Sequence, residues 1–211
     1  MMKISASFLS IKENLKENVE RLDKTSIDYL HLDIMDGKFV TNKTYTIAEI
    51  KYLLQNTTKP KDVHLMVNDV MKYIDDFITI NPEFITFHLE AIDNQREVIN
   101  YLKQYNIKVG ISIKPKTNIE TLLPYLPLID LILIMSVEPG YGGQEFIMET
   151  TSKIDNLKYL RDQNNYNYII QVDGGINNKT IKYCQNADIV VVGSYITSRA
   201  DYQTQIDKLL K

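Results

Sequence analysis

Cysteine is nearly absent: Cys184 is the only one in 211 residues. No intrachain disulfide can form, so the fold must rest on a packed core, and a reducing, cytoplasmic setting is expected. Long apolar runs are missing as well. None approaches the ~20 residues that a membrane span needs. Met1 to Leu15 holds one short apolar patch broken by serines and lysines, unlike the apolar stretch of a secretory leader. No charge sign dominates: 24 Lys and Arg face 27 Asp and Glu, a net charge of -3. That balance gives no general electrostatic grip on nucleic acid or an anionic membrane, so neither is expected as a partner, and any phosphate must be held locally. Linkers, low-complexity tracts and detailed repeats are also lacking, which predicts one domain over residues 1–211. Histidine is scarce, with only His31, His64 and His88.

What the chain does have is alternation. Eight short apolar or β-branched runs begin near Ile4, Tyr29, Val63, Phe84, Lys108, Leu131, Tyr168 and Ile189. Ile132-Leu133-Ile134 and Ile189 to Val192 are apolar on both faces, as buried parallel strands are. Helix-period stripes lie between runs: Leu15, Val19 and Leu22; Val70, Ile74, Phe77 and Ile78; Ile154, Leu157 and Leu160. Strand and helix alternating at this spacing imply βαβ units. Eight such strands predict an α/β protein, a (β/α)8 TIM barrel, whose usual length starts at about 200 residues. An open doubly wound sheet stays compatible with the pattern.

Polar residues gather late in the strands. Residues two apart on a strand share a face, so His31 pairs with Asp33, His64 with Met66, and Gln171 with Asp173. The C-terminal strand ends form the active face of a barrel. There His31, Asp33, His64 and Asp173 could ligate a divalent transition metal. Each alone has a plainer reading, since a strand histidine is ordinarily a hydrogen-bonded core residue and Asp-Gly ordinarily a turn. The case rests on all four falling at one end of three strands. His88 also lies late in a strand, but nothing in the sequence pairs it with the four, so it is read as a structural or supporting group.

Two glycine-rich regions suit an anion. Pro139-Gly140-Tyr141-Gly142-Gly143-Gln144 follows the sixth run, and Gly174-Gly175 and Gly193-Ser194 close the seventh and eighth. Barrels often bind phosphate with the loops after strands 7 and 8, where backbone N–H groups can approach closely. The plainer reading is tight turns.

These segments resemble the ribulose-phosphate 3-epimerase family. The matching stretches are I-S-A-S-F-L-S at Ile4 to Ser10, H-L-D-I-M-D-G-K-F-V at His31 to Val40, and D-V-H-L-M-V at Asp62 to Val67. F-H-L-E at Phe87 to Glu90, M-S-V-E-P-G-Y-G-G-Q-E-F at Met135 to Phe146, V-D-G-G-I-N at Val172 to Asn177 and V-G-S at Val192 to Ser194 follow in order. The resemblance implies interconversion of D-ribulose 5-phosphate and D-xylulose 5-phosphate, in the pentose phosphate pathway. It implies one divalent metal on His31, Asp33, His64 and Asp173, with Asp33 and Asp173 as the acid/base pair. Ser7 and His64 would touch the sugar. Gly140, Tyr141, Gly142, Gly143, Asp173, Gly174, Gly175, Gly193 and Ser194 would surround substrate and phosphate, and Met35, Met66 and Met135 would sit near the reacting centre. The chain departs from the family pattern at Thr41, Thr46, Asn186, Tyr195 and Thr197.

The chemistry accounts for these parts. Epimerisation beside a ketone removes a C–H proton and returns one to the opposite face, through an enediolate. A Lewis-acid cation stabilises that charge, and two bases avoid turning the intermediate over. Imidazole ligands favour Zn2+ or Fe2+, with Mn2+ or Co2+ as neighbours, over magnesium. Polarizable methionines enclose an anion without offering protons. A homo-oligomer is expected, acting on a small ketose phosphate. The rival readings are an epimerase of a related ketose phosphate such as D-allulose 6-phosphate, and a non-catalytic sugar-phosphate binder on the same barrel.

Overall fold

The computed structural model describes residues 2–210. Eight strands follow the chain: β1 (Lys3–Ser7), β2 (Tyr29–Met35), β3 (Lys61–Met66), β4 (Phe84–His88), β5 (Lys108–Ile113), β6 (Leu131–Met135), β7 (Ile169–Asp173) and β8 (Ile189–Val192). Each pairs in parallel with the next, and β8 pairs with β1, so the sheet closes into a barrel in simple sequence order. The (β/α)8 reading holds, and the open sheet is excluded by the β1–β8 ladder.

Outside the barrel run α1 (Leu15–Asp23), α2 (Ile47–Leu53), α3 (Val70–Phe77), α4 (Gln95–Lys103), α5 (Thr151–Asn164), α6 (Ser194–Thr197) and α7 (Tyr202–Leu209). The crossovers after β5 and β7 carry only short 3₁₀ turns, Ile119–Leu122 and Ile181–Cys184. Each helix turns a stripe inward: Val19 and Leu22 from α1, Val70, Ile74 and Phe77 from α3, Ile154 and Leu157 from α5. They pack on the outward strand residues, among them Leu30, Leu32, Ile34, Val63, Leu65, Ile132 and Ile134. Each such side chain contributes roughly 1.5–3 kcal/mol by leaving water.

The barrel interior is divided. Its lower part is an apolar plug of Tyr29, Phe84, Leu131, Leu133 and Ile189, with Ile169 packed against it. Above it the inward positions turn polar: Ser5, His31, Asp62, His64, Thr86, His88, Ser112 and Gln171 are all fully buried. This layer explains the misplaced start of the third strand. β3 begins at Lys61 rather than Val63, because Asp62 points into the polar interior and so breaks the apolar run from which the strand was read.

Candidate active site

Strand register levels the polar residues. Ser7 on β1 stands beside His31 on β2, Asp33 beside His64 on β3, Met35 beside Met66, and Met135 on β6 beside Asp173 on β7. Neighbours in parallel register point to the same side of the sheet, so all of them face the barrel mouth. His31, Asp33, His64 and Asp173 each bring a nitrogen or oxygen to one point, with those atoms all within 4.8 Å of one another. His31 Nε2 lies 3.4 Å from Asp33 Oδ1 and 3.7 Å from Asp173 Oδ2. His64 Nδ1 lies 3.5 and 3.7 Å from the same two oxygens.

These contacts are too long for good hydrogen bonds, and both histidine nitrogens are buried with no hydrogen-bond partner. An unpartnered buried imidazole nitrogen is costly, so the arrangement calls for something between the four. The donor set fits a metal. Ligands at about 2.0–2.1 Å on a tetrahedral ion stand roughly 3.3–3.4 Å apart, close to the spacings found. The opposite nitrogens are held as metal-binding histidines usually are. His31 Nδ1 lies 2.8 Å from Asp62 Oδ2. His64 Nε2 lies 2.9 Å from His88 Nε2, and His88 Nδ1 lies 3.2 Å from Glu90 Oε2. His88 thus stands behind His64 as a supporting group, in line with its reading from the sequence. The connection runs across strands, between residues 24 apart in sequence, where no local pattern reveals it.

The charges are uneven. Burial opposes ionisation of Asp33, but His31 and His64 outweigh it and hold the carboxyl well below the usual range. Ser7 Oγ also donates to Asp33 Oδ2 at 2.6 Å. Asp173 goes the other way: burial and the Asp33 charge, only partly countered by His31 and His64, push it up to about 6. Burial disfavours the His31 cation, yet Asp62 and Asp33 raise its pKa well above the ordinary histidine value. Burial pushes His88 down to about 4, so it is neutral near pH 7.

Above the cluster opens a cavity of about 310 Å³. Its lining includes Ser7, Asp33, the three methionines Met35, Met66 and Met135, the loop Gly140 to Gly143, Asp173 to Gly175, and Gly193 with Ser194. The sequence-predicted residues thus meet in one place, with His31 and His64 fully buried at its base. Asn42 Nδ2 donates to Gly140 O at 2.7 Å and ties the loop after β2 to the loop after β6. The glycines differ in what they need. Gly175 has φ +64°, and a Cβ there would meet Phe146 N at 2.5 Å, so packing alone demands glycine. The nearest neighbour of a Cβ on Gly193 would be Ser7, at 3.6 Å. Tyr195 and Ser198 also line the cavity. The sequence reading noted Tyr195 only as a departure. It missed Asp62 as a support, although Asp62 lies two residues before His64 and so shares its face. Thr46, another departure, is the N-cap of α2.

Comparison with known proteins agrees with this geometry. The model of the ribulose-phosphate 3 epimerase family matches residues 3–197. The ribulose-phosphate 3-epimerase of Treponema pallidum is 39% identical over 175 residues, covering 82% of this chain and 80% of that protein. The enzyme of the same name from Methanocaldococcus jannaschii is 35% identical over 212 residues, covering 99% and 90%. Among solved structures, tryptophan synthase of Mycobacterium tuberculosis superposes with a TM-score of 0.69 at 13% identity, covering 99% of this chain and 91% of that one, a likeness of fold alone. With both the matched sequence and the strand-end cluster in place, the chain belongs to the ribulose-phosphate 3-epimerase family.

Proposed function

We propose that this protein interconverts D-ribulose 5-phosphate and D-xylulose 5-phosphate by inverting C3, with Asp33 and Asp173 as the proton-transfer pair. The observation that carries the reading is the convergence of these two carboxyls, from β2 and β7, on the unpartnered nitrogens of His31 and His64 beneath a cavity of sugar-phosphate size. A sugar-phosphate binder needs no such pair. In the metal-free chain the two carboxyls shift in opposite directions, an asymmetry of the kind that a two-base epimerase uses. Asp33 stands ready as the carboxylate, and Asp173, pushed up to about 6, holds a proton more readily. One takes the C3 proton from one face of the sugar, and the other delivers a proton to the opposite face.

His31, Asp33, His64 and Asp173 would hold a divalent ion, zinc or iron(II) by the chemistry of two imidazoles and two carboxylates. Bound there, it supplies Lewis-acid stabilisation for the oxygens of the ketose as negative charge develops. Ser7 keeps Asp33 oriented through its 2.6 Å hydrogen bond. Met35, Met66 and Met135 wall the reacting centre with polarizable, proton-free surface. Gly193 and Ser194, with the loop Gly140 to Gly143, would receive the phosphate through backbone N–H groups.

The test is incubation of purified protein with D-ribulose 5-phosphate, following D-xylulose 5-phosphate with and without a chelator. Turnover that the chelator removes and zinc or iron(II) restores is expected. No epimer formation by metal-loaded protein overturns the reading, and faster turnover of D-allulose 6-phosphate reassigns the substrate.

A further inference from the structure

Glu90 sits just past the end of β4, and its two oxygens have different partners. Oε1 accepts the backbone N–H of Lys114 at 2.8 Å and the Thr117 hydroxyl, both from the segment after β5. Oε2 faces His88 Nδ1 at 3.2 Å. A carboxylate can only accept hydrogen bonds, so His88 must present Nδ1–H to it. The other nitrogen of a neutral His88, Nε2, is then an acceptor, 2.9 Å from His64 Nε2. The ring centroids of His64 and His88 are 5.0 Å apart, much further than the nitrogens, so the rings meet edge to edge as this hydrogen bond requires. His64 must therefore donate from Nε2, which leaves the lone pair of Nδ1 aimed into the four-residue cluster. Phe39 packs on His88 with centroids 4.7 Å apart and keeps the ring from turning out of line.

We infer that Glu90 and His88 are positioning residues that direct the ring proton of neutral His64 to Nε2 and leave Nδ1 as the nitrogen turned to the cluster. The inference rests on the proposed metal reading of the cluster and extends it along the chain Glu90, His88, His64. Its direction is set at the far end, by the Lys114 N–H, which is a donor whatever side chain stands at position 90. Glu90→Gln exposes this. The glutamine must turn its oxygen to the Lys114 N–H, so its NH₂ faces His88 Nδ1. His88 then becomes an acceptor at Nδ1 and a donor at Nε2. His64 becomes an acceptor at Nε2 and carries its proton on Nδ1, where the ion should bind. One atom exchanged outside the cluster reverses two tautomers.

The experiment reads tautomers in metal-free protein labelled with ¹⁵N-histidine, and zinc affinity by competition with a chromogenic chelator. In the wild type, protonated Nε2 on His64 and protonated Nδ1 on His88 are expected. Glu90→Gln should reverse both and weaken zinc binding by roughly 10–100-fold, the usual effect of losing such a support. His88→Leu should weaken zinc comparably, whereas His88→Gln, whose carbonyl can still accept from His64 Nε2, should recover most of the affinity. If Glu90→Gln fails to fold, the wild-type spectrum and the two His88 variants decide. A wild-type His88 protonated on Nε2 alone, or a folded Glu90→Gln with unchanged tautomers and zinc affinity, overturns the inference. Absence of zinc binding by wild-type protein overturns the metal reading instead, and the wild-type tautomers still decide the direction of the chain.

Discussion

Asp62 Oδ2 collects three hydrogen bonds in the barrel interior, from Ser5 Oγ at 2.7 Å, His31 Nδ1 at 2.8 Å and Gln171 Nε2 at 2.6 Å. Nothing about it is exposed. Removing the carboxylate leaves three buried donors with no acceptor, and each loses its desolvation offset. Asp62→Ala should therefore destabilise the fold by about 3–5 kcal/mol in urea denaturation, and release His31 to turn. A loss under 1 kcal/mol would show that the interior rearranges around the gap. The carboxyls at the mouth make the opposite case. Asp173 keeps 17% of its side chain exposed and makes no structural hydrogen bond of this kind. Asp173→Asn should fold normally and lower kcat by 10²–10⁴-fold, as loss of a general acid/base does. Asp33→Asn should do the same while also disturbing Ser7. Near-wild-type turnover by either folded variant removes that carboxyl from the proposed chemistry. Gly193→Ala offers a third reading of the site. The methyl has ordinary room against Ser7, so a raised KM of the folded variant is expected if the phosphate is held there.

At the level of elements, most of the barrel was legible and its cross-connections were not. The eight strand starts read from apolar runs lie within two residues of those observed, because helices cover the outer face of every strand and make it apolar. The four strand-end residues could be read because the period of two puts them on one face. Asp62 and Gln171 touch across 109 residues, and His64 and His88 across 24; strand composition carries no trace of such pairings. The short 3₁₀ crossovers were equally hidden, since one turn is too brief to show a period. Thr46 illustrates a departure with a physical reason. It accepts from Glu49 N, and Glu49 Oε2 accepts from Thr46 N at 2.7 Å, a complete capping box that starts α2. Thr46→Ala should cost about 0.5–2 kcal/mol, and an unchanged Tm would show that α2 is held by packing alone. Glu90 ties the end of β4 to the segment after β5, and this link depends on pH. Burial opposes its charge, but the bonds from His88, Thr117 and Lys114 hold its pKa at about 2, against an ordinary 4.5. A depressed carboxyl stabilises the fold above its unfolded value and loses that contribution as pH falls through the folded one. Wild type should therefore exceed Glu90→Gln by up to about 2 kcal/mol at neutral pH, after allowance for solvent screening. Less than half of that should remain near pH 3. A pH-independent difference would place the effect elsewhere.

For the molecule as a whole, closure of the barrel brings the ends of β2 and β7, three strands apart through β1 and β8, to one four-residue cluster. A cation held by these four residues on three strands would bind the folded chain far better than the unfolded one. Saturation at about 100 times Kd should add roughly 2.7 kcal/mol and raise Tm, and because His31 must give up a proton that Asp62 and Asp33 hold, affinity should fall as pH falls. The same closure bears on the proposed stereochemistry. If Asp33 and Asp173 act from opposite faces of the sugar, the proton removed from C3 and the proton returned would travel on different carboxyls. Asp33 is almost sealed, with 6% of its side chain exposed, whereas Asp173 reaches solvent more readily. Product formed in D₂O should then carry solvent deuterium at C3. Substrate recovered at low conversion should hold less deuterium than product, because the base on the starting face mainly returns the proton it took. A single mobile base would instead pass the substrate's own hydrogen across to the product. Exchange between the carboxyls and water narrows the contrast with time, so short incubations are needed. Retention of the original hydrogen at C3 of the product would exclude the two-aspartate scheme while leaving the barrel and the four-residue cluster as they stand.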